Sequence, residues 1–125
     1  MISHLLRVGI LASVGLGALP DMASAQRAFD GHWSVLIVTQ RGNCDRAYRY
    51  GVSIQGGRVY YDGGMVNFTG RVAGNGAVSV RVSSGNAFAS GSGRLSRNSG
   101  QGRWSGQSGG DRCSGYWTAE RRAGF

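Results

Sequence analysis

Arginine is the residue type with the clearest chemical potential in this sequence. All 14 basic residues among the 125 are arginine, against six acidic residues, and the formal net charge is +8. A guanidinium offers a planar fork of N–H donors to carboxylates, phosphates and sulfates, and it stays charged at any pH that a protein meets. The composition therefore points to an anionic partner, although a general preference for arginine over lysine, or charge that only keeps the domain soluble, would produce it too.

Two groups of side chains are the candidate anion-binding residues. One group lies near the cysteines and consists of Arg41, Arg46, Tyr48 and Arg112; the other occupies outward positions on predicted neighbouring strands and consists of Arg71, Arg81, Arg94 and Arg103. We predict that Arg94 stands opposite Arg103. Like charges that face each other destabilise a sheet unless an anion lies near them. A polysaccharide or other envelope component, a lipid head group or a nucleic acid would supply that anion.

Residues typical of catalytic sites are few. His32 is the one histidine beyond the first 25 residues, and no nucleophile-elbow motif accompanies it. The acidic residues are scattered, and Asp45 and Asp111 each adjoin an arginine, which favours local ion pairs over a carboxylate pair or a cation site. We therefore predict no catalytic residue, no metal site and no cofactor, and a protein that is not an enzyme.

The first 25 residues have the layout of a secretory signal peptide. A short basic start precedes the apolar run 8–19, Pro20 follows, and Ala23-Ser24-Ala25 forms a small-residue cleavage site. Cleavage would leave 26–125 as a single domain in the periplasm or outside the cell, with its oligomeric state open. No second apolar run of about 20 residues follows, so we predict no transmembrane segment.

The two cysteines, Cys44 and Cys113, lack the C-x-x-C spacing of metal or redox sites. An exported domain meets an oxidising environment, so we predict a disulfide between them, with two free thiols as the alternative. Such a bridge would remove loop-closure entropy from the unfolded chain worth about 4 kcal/mol.

Short stretches of alternating apolar and polar residues, separated by Gly, Asn and Ser, recur through the domain and predict an all-β fold. The predicted strands are 31–39, 48–54, 58–62, 65–73, 77–83, 87–95, 102–107 and 113–121. Eight strands in an up-and-down meander can close into a small antiparallel barrel, because the last runs antiparallel to the first. Closure would bring both cysteines to one rim, together with the two longest loops, 41–47 and 107–112.

Each of the three tryptophans follows a glycine by two residues, as Gly31 and Trp33, Gly102 and Trp104, and Gly115 and Trp117. Residues two apart share a face of a strand, so each glycine would leave room for the ring over its own strand. Ala89, Gly91 and Gly93 are small inward positions that would receive rings from neighbouring strands. We predict that the tryptophans pack the core of a narrow barrel, with ligand stacking as the alternative.

Three stretches carry a resemblance to a known family: Phe29-Asp30-Gly31-His32-Trp33-Ser34, Cys44-Asp45-Arg46-Ala47-Tyr48-Arg49-Tyr50 and Cys113-Ser114-Gly115-Tyr116-Trp117-Thr118-Ala119-Glu120-Arg121-Arg122. With them the chain resembles a family of small, mostly uncharacterised exported proteins of alphaproteobacteria. The resemblance implies no established activity. Some relatives carry haem-utilisation or adhesion labels, but this chain has no C-x-x-C-H motif, and only His32 and Met65 resemble axial haem ligands.

A looser likeness is to calycin-type barrels, in which a G-x-W opens the first strand and an arginine of the last strand packs across that tryptophan. Gly31-His32-Trp33 and either Arg121 or Arg122 would fill these roles. Small periplasmic inhibitors of lysozymes and proteases share this architecture. The sequence therefore predicts, first, a binding module for an anionic partner and, second, an inhibitor whose 41–47 loop plugs the cleft of an enzyme.

Overall fold

A computed structural model describes residues 25–61 and 63–123 of the chain. The predicted signal peptide lies outside the described residues, apart from Ala25.

Eight antiparallel strands form a closed barrel, in which each strand pairs with its sequence neighbours and the last pairs with the first. The strands are β1 (Gly31–Arg41), β2 (Ala47–Gln55), β3 (Arg58–Tyr60), β4 (Asn67–Val72), β5 (Ala77–Ser84), β6 (Ala87–Leu95), β7 (Ser99–Ser108) and β8 (Asp111–Arg122). The predicted all-β barrel is thus confirmed. The main differences are that β3 ends at Tyr60 and that β7 begins at Ser99 instead of Gly102.

Apolar side chains pack together at one end of the barrel, called here the closed end. They are Phe29, Trp33, Ile54, Val59, Val72, Leu95, Trp117 and Ala119. Trp33 is only 2% exposed, and its indole Nε1 donates to the carbonyl of Phe29 at 2.9 Å. The guanidinium of Arg121 lies 5.0 Å from the centre of the Trp33 ring and donates to the carbonyl of Ala28 at 2.8 Å. These contacts fasten the chain ahead of β1 to the end of β8.

The opposite end, called here the mouth, carries the Cys44–Cys113 disulfide, which confirms the predicted pairing. The bridge joins the β1–β2 loop, 42–46, to the beginning of β8. The Cys44 N–H also donates to the sulfur of Cys113 at 3.2 Å, and the hydroxyl of Thr39 donates to the carbonyl of Asp45 at 2.6 Å. The loop is therefore held to both strands that flank the point of barrel closure.

Two of the three G-x-W glycines, Gly102 and Gly115, are ladder partners of a tryptophan on the opposite strand, whereas no atom lies within 4 Å of a Cβ placed on Gly31. Gly102 pairs with Trp117, and a Cβ at Gly102 would lie 2.6 Å from two atoms of that ring. Trp117 extends across Gly102 and donates its Nε1 to the carbonyl of Ser92 on β6 at 3.2 Å. Gly93 is equally close to the ring, as predicted.

Trp104 on β7 likewise lies opposite a glycine, in this case on β8. Its partner on β8 is Gly115, and its Nε1 donates at 3.0 Å to the carbonyl of Val38 on β1. A Cβ at Gly115 would collide with that carbonyl oxygen. The prediction that each glycine serves the tryptophan of its own strand is therefore wrong, because residues that face each other across a ladder are closer than residues two apart on one strand.

Candidate functional site

Between the closed end and the mouth, the interior of the barrel is hollow. The cavity has a volume of about 550 Å³, within the range of roughly 300–1,000 Å³ that is typical of small-molecule sites. Trp33 and Trp117 are buried in the core and Trp104 is partly buried against it, while all three also border the cavity. The tryptophans thus belong to a core that fills only part of the interior, and the cavity is the candidate functional site.

Glycine at inward positions explains why the interior stays unfilled. The inward side chain of Val80 on β5 has Gly70 of β4 as its partner on one side and Gly91 of β6 on the other. An eight-stranded barrel is just wide enough for ordinary side chains to fill it. Gly91 borders the cavity and carries no side chain, so the interior stays open beside Val80, whereas the position over Gly70 is occupied by Val59 and Phe68.

The wall of the cavity is almost wholly apolar. Its aliphatic residues come mainly from β1, β2 and β5, and include Val35, Ile37, Val52, Val78, Val80 and Val82. Such a surface binds a ligand chiefly by removing apolar area from water, at about 25 cal/mol per Å². The middle of the cavity therefore suits an apolar molecule or the apolar part of a larger one.

Aromatic rings line one side of the mouth. The rings of Tyr48 and Tyr50 stack with centres 5.6 Å apart, Tyr50 meets Tyr61 edge to face at 5.5 Å, and Tyr61 lies 5.8 Å from Phe68. All four rings border the cavity. They present flat apolar faces together with phenolic hydroxyls, which is the composition expected where an apolar cavity meets water.

A carboxylate accompanies these tyrosines. Asp45, in the 42–46 loop, also borders the cavity. Its hydrogen bond to the Tyr48 hydroxyl, followed by the repulsion of its negative charge, raises the pKa of Tyr48. Burial, followed by the charges of Tyr61 and Asp45, raises the pKa of Tyr50. Both phenols therefore remain protonated at neutral pH and can act as hydrogen-bond donors.

The structure brings the first predicted arginine group to the mouth. Arg41 and Arg46 flank the 42–46 loop and Arg112 directly precedes Cys113, and all three are exposed. A side chain on Gly42 would collide with the carbonyl of Arg112, so this glycine lets the loop approach β8 closely. Tyr48, the fourth member of the group, lines the cavity itself. The prediction of a long loop at 107–112 is wrong, because β7 and β8 are joined by a tight turn at 109–110.

The second predicted group lies on the outer wall of the barrel, away from the cavity. Arg71, Arg81, Arg94 and Arg103 are all exposed, one on each of the strands β4 to β7. The prediction that Arg94 faces Arg103 is wrong, because the β6–β7 hairpin closes between Ser96 and Ser99, which shifts the register. Arg94 pairs with Gln101, and Arg103 pairs with Ser92.

One pair of arginines does face across strands, and the sequence did not suggest it. Arg58 of β3 is the direct partner of Arg71 of β4. On the same outer wall, Arg103 donates to the side-chain oxygen of Gln40 at 3.3 Å.

Within residues 25–61 and 63–123, no group of three or more His, Cys, Asp or Glu residues is placed to hold a metal ion. His32 is exposed on the outer face of β1, and Asp111 begins β8. No helix in that same part of the chain is long and apolar enough to cross a membrane.

The cavity residues were missed because alternation shows only which side chains face inward. Val78, Val80 and Val82 have the same pattern whether they meet at a packed centre or surround a space. The available signal was the pair of small inward residues Ala89 and Gly91, which is equally expected where small residues make room for tryptophan rings.

Arg121 packs across Trp33 in the arrangement that the calycin likeness predicts for the closed end. Membership of that group, or of the alphaproteobacterial family, stays a prediction. Comparison of the chain with protein-family models, with curated proteins and with solved structures finds no match.

Proposed function

We propose that this chain is an exported, non-enzymatic binding protein for a small amphiphile, whose apolar body occupies the barrel cavity and whose anionic head group lies at the mouth. The observation that carries the proposal is the apolar cavity of about 550 Å³, which ends in packed side chains at one end. A ligand with one apolar end and one polar end matches this asymmetry. A lipid head group is one of the anionic partners that the sequence predicts.

The head group is the less constrained part of the ligand. Arg41 and Arg46 supply positive charge beside the loop that borders the cavity, whereas Asp45 supplies negative charge. Asp45 lies close enough to the Tyr48 hydroxyl to raise the pKa of that phenol, so part of its interaction is already taken up by Tyr48. The two exposed arginines therefore favour an anion over a neutral head group, and removal of the Asp45 charge should strengthen the preference.

The test is calorimetric titration of the purified protein with saturated fatty acids of increasing length and with the matching alcohols. Each methylene buried in the cavity contributes about 0.8 kcal/mol, so affinity should rise about fourfold per methylene until the cavity is full. The acid should bind more tightly than the alcohol, and this advantage should shrink as salt is added.

Matched variants distinguish binding of the apolar body of the ligand from recognition of its head group. R46Q should reduce the advantage of the acid over the alcohol, D45N should increase it, and R94Q on the outer wall should leave it unchanged. Absence of binding for acids and alcohols alike would refute the cavity proposal. Equal binding of acid and alcohol at every salt concentration would refute the anionic head group.

The inhibitor hypothesis from the sequence retains one specific support. The 42–46 loop is held by the disulfide and by the Thr39 hydrogen bond, so it would lose little conformational freedom on entering the cleft of an enzyme. The protein should then inhibit a lysozyme or protease stoichiometrically, and replacement of the loop by a glycine-serine segment should abolish inhibition. Unchanged inhibition by the loop variant would remove this alternative.

A further inference from the structure

A groove on the outer wall, across β8, β1 and β2 and up to β3, lies apart from the cavity proposed above. One ladder row across these strands consists of Arg122, His32, Ser53 and Tyr60. The next row consists of Glu120, Ser34 and Gly51, so it carries only a small side chain on β1 and none on β2, and beyond Gly51 on β2 comes Arg49. Larger side chains thus border a shallow floor on two sides. The groove encloses about 550 Å³ and opens widely to solvent.

Gly51 is the observation that points to a ligand. It lies inside β2 without a positive φ, so its backbone does not require glycine. A Cβ there would meet no atom within 4 Å, so packing does not require glycine either. Other glycines inside the described strands, such as Gly70 and Gly93, would clash with neighbours if they carried a Cβ. Glycine inside a strand is destabilising, and one of its known uses is to let a ligand approach the backbone.

The side chains around Gly51 favour an anion. The guanidinium of Arg49 donates to the hydroxyl of Ser34 at 2.9 Å, and this bond orients the arginine over the floor of the groove. Arg122 lies on the opposite border. Two guanidiniums on either side of an open floor match a phosphate or carboxylate, which accepts several N–H donors at once. Glu120, the β8 partner of Ser34, is the nearby opposing charge.

Tyr60 gives the groove an apolar border. Its side chain is 46% exposed, and it is the ladder partner of Ser53. A flat ring beside charged donors can pack against the uncharged part of a bound molecule.

We propose that the groove over Gly51 is a second binding site, which takes a small polar molecule bearing a phosphate or a carboxylate, with Arg49 and Arg122 holding the anion. This site does not depend on the cavity or on its ligand. The anion lies over Gly51, and the remainder of the molecule packs against Tyr60.

The test is a titration of the ¹⁵N-labelled protein with inorganic phosphate, a hexose phosphate, a hexuronate and a neutral hexose, followed by NMR. The anionic probes should shift the amide signals of Gly51 and Ser34, and the neutral hexose should not. A stronger response to the hexose phosphate or to the hexuronate identifies the anion. If the neutral hexose shifts these signals as strongly as its charged counterparts, the proposal is overturned.

Three variants and one control decide between a built site and general surface charge. G51V places a side chain in the floor at a position where no atom lies within 4 Å of the Cβ, so it should weaken binding at least tenfold while thermal stability is kept or increased. R49Q should also weaken binding, and E120Q should strengthen it. R81Q, on the far wall, should change nothing. Unchanged binding by G51V, or equal losses in R49Q and R81Q, would overturn the proposal. Binding of a fatty acid in the cavity should be the same in G51V, which separates the two sites.

Discussion

Substitution of Val80 by phenylalanine tests whether the barrel is hollow, because the sign of the stability change depends on it. Val80 is only partly buried, borders the cavity, and has glycine partners at Gly70 and Gly91. Phenylalanine adds roughly four carbon atoms, and each buried methylene equivalent contributes about 0.8 kcal/mol. Incomplete contact and about 0.5–1 kcal/mol of lost side-chain freedom reduce this gain. We expect the free energy of unfolding to rise by about 0–2 kcal/mol.

The opposite result is expected where the interior is packed. Val72 also borders the cavity, but it is 5% exposed, belongs to the apolar cluster at the closed end, and has Val78 instead of a glycine as its partner on β5, so V72F should cost about 1–3 kcal/mol through overpacking. Urea denaturation of both variants, with an unchanged dependence on urea concentration, measures the difference. A loss of more than about 1 kcal/mol in V80F, comparable to the loss in V72F, would contradict a hollow barrel, because it would show that the barrel centre is packed.

Three further predictions concern the frame around the cavity. Replacing both cysteines with alanine should lower the free energy of unfolding by about 4 kcal/mol, measured in urea without reductant, because the bridge closes a long loop; a loss below about 1 kcal/mol would contradict this. G102A should cost at least about 2 kcal/mol in the same assay, because its Cβ would collide with the carbonyl oxygen of Ser92 and press on the Trp117 ring, whereas neutral behaviour would mean that neither β6 nor the ring approaches Gly102 so closely. Burial raises the pKa of Tyr50 above its ordinary value of 10.0; stability should therefore be constant below that value and fall as pH rises through the raised pKa. In unfolding curves recorded at increasing alkaline pH, the free energy of unfolding should fall less in Y50F than in the original protein. An identical fall would show that Tyr50 is not its cause.

The barrel itself was predictable because its determinants are local. Alternation at Val78, Val80 and Val82 indicates a strand with one inward face, and the short Gly-containing loops indicate antiparallel neighbours. The disulfide followed from composition and from the predicted closure. The register is evident from the sequence where the turn is, as at Gly56-Gly57, a two-residue turn across which Ile54 pairs with Val59. The register of Arg94 was missed because the sequence around 96–98 does not reveal where that hairpin closes.

The cavity was not predictable from the same signals. Whether inward side chains meet depends on the radius of the barrel. That radius is set by the number, tilt and stagger of the strands. A glycine that makes room for a tryptophan and a glycine that borders the cavity look alike in the sequence: Gly93 lies against the Trp117 ring, whereas Gly91, beside Val80, borders the cavity. The outer groove was missed for a related reason. Gly51 has the same appearance in the sequence as the other glycines, and only its surroundings show that nothing packs on it.

The most direct test of the proposed cavity function is to locate a bound fatty acid by NMR, through nuclear Overhauser effects between its terminal methyl group and the protein. The proposed function predicts contacts from that methyl group to Val78 and Trp117 near the closed end, and contacts from the methylenes beside the carboxylate to Tyr48 at the mouth. Contacts confined to exposed outer residues such as Phe88, with none to the inward valines, would contradict it.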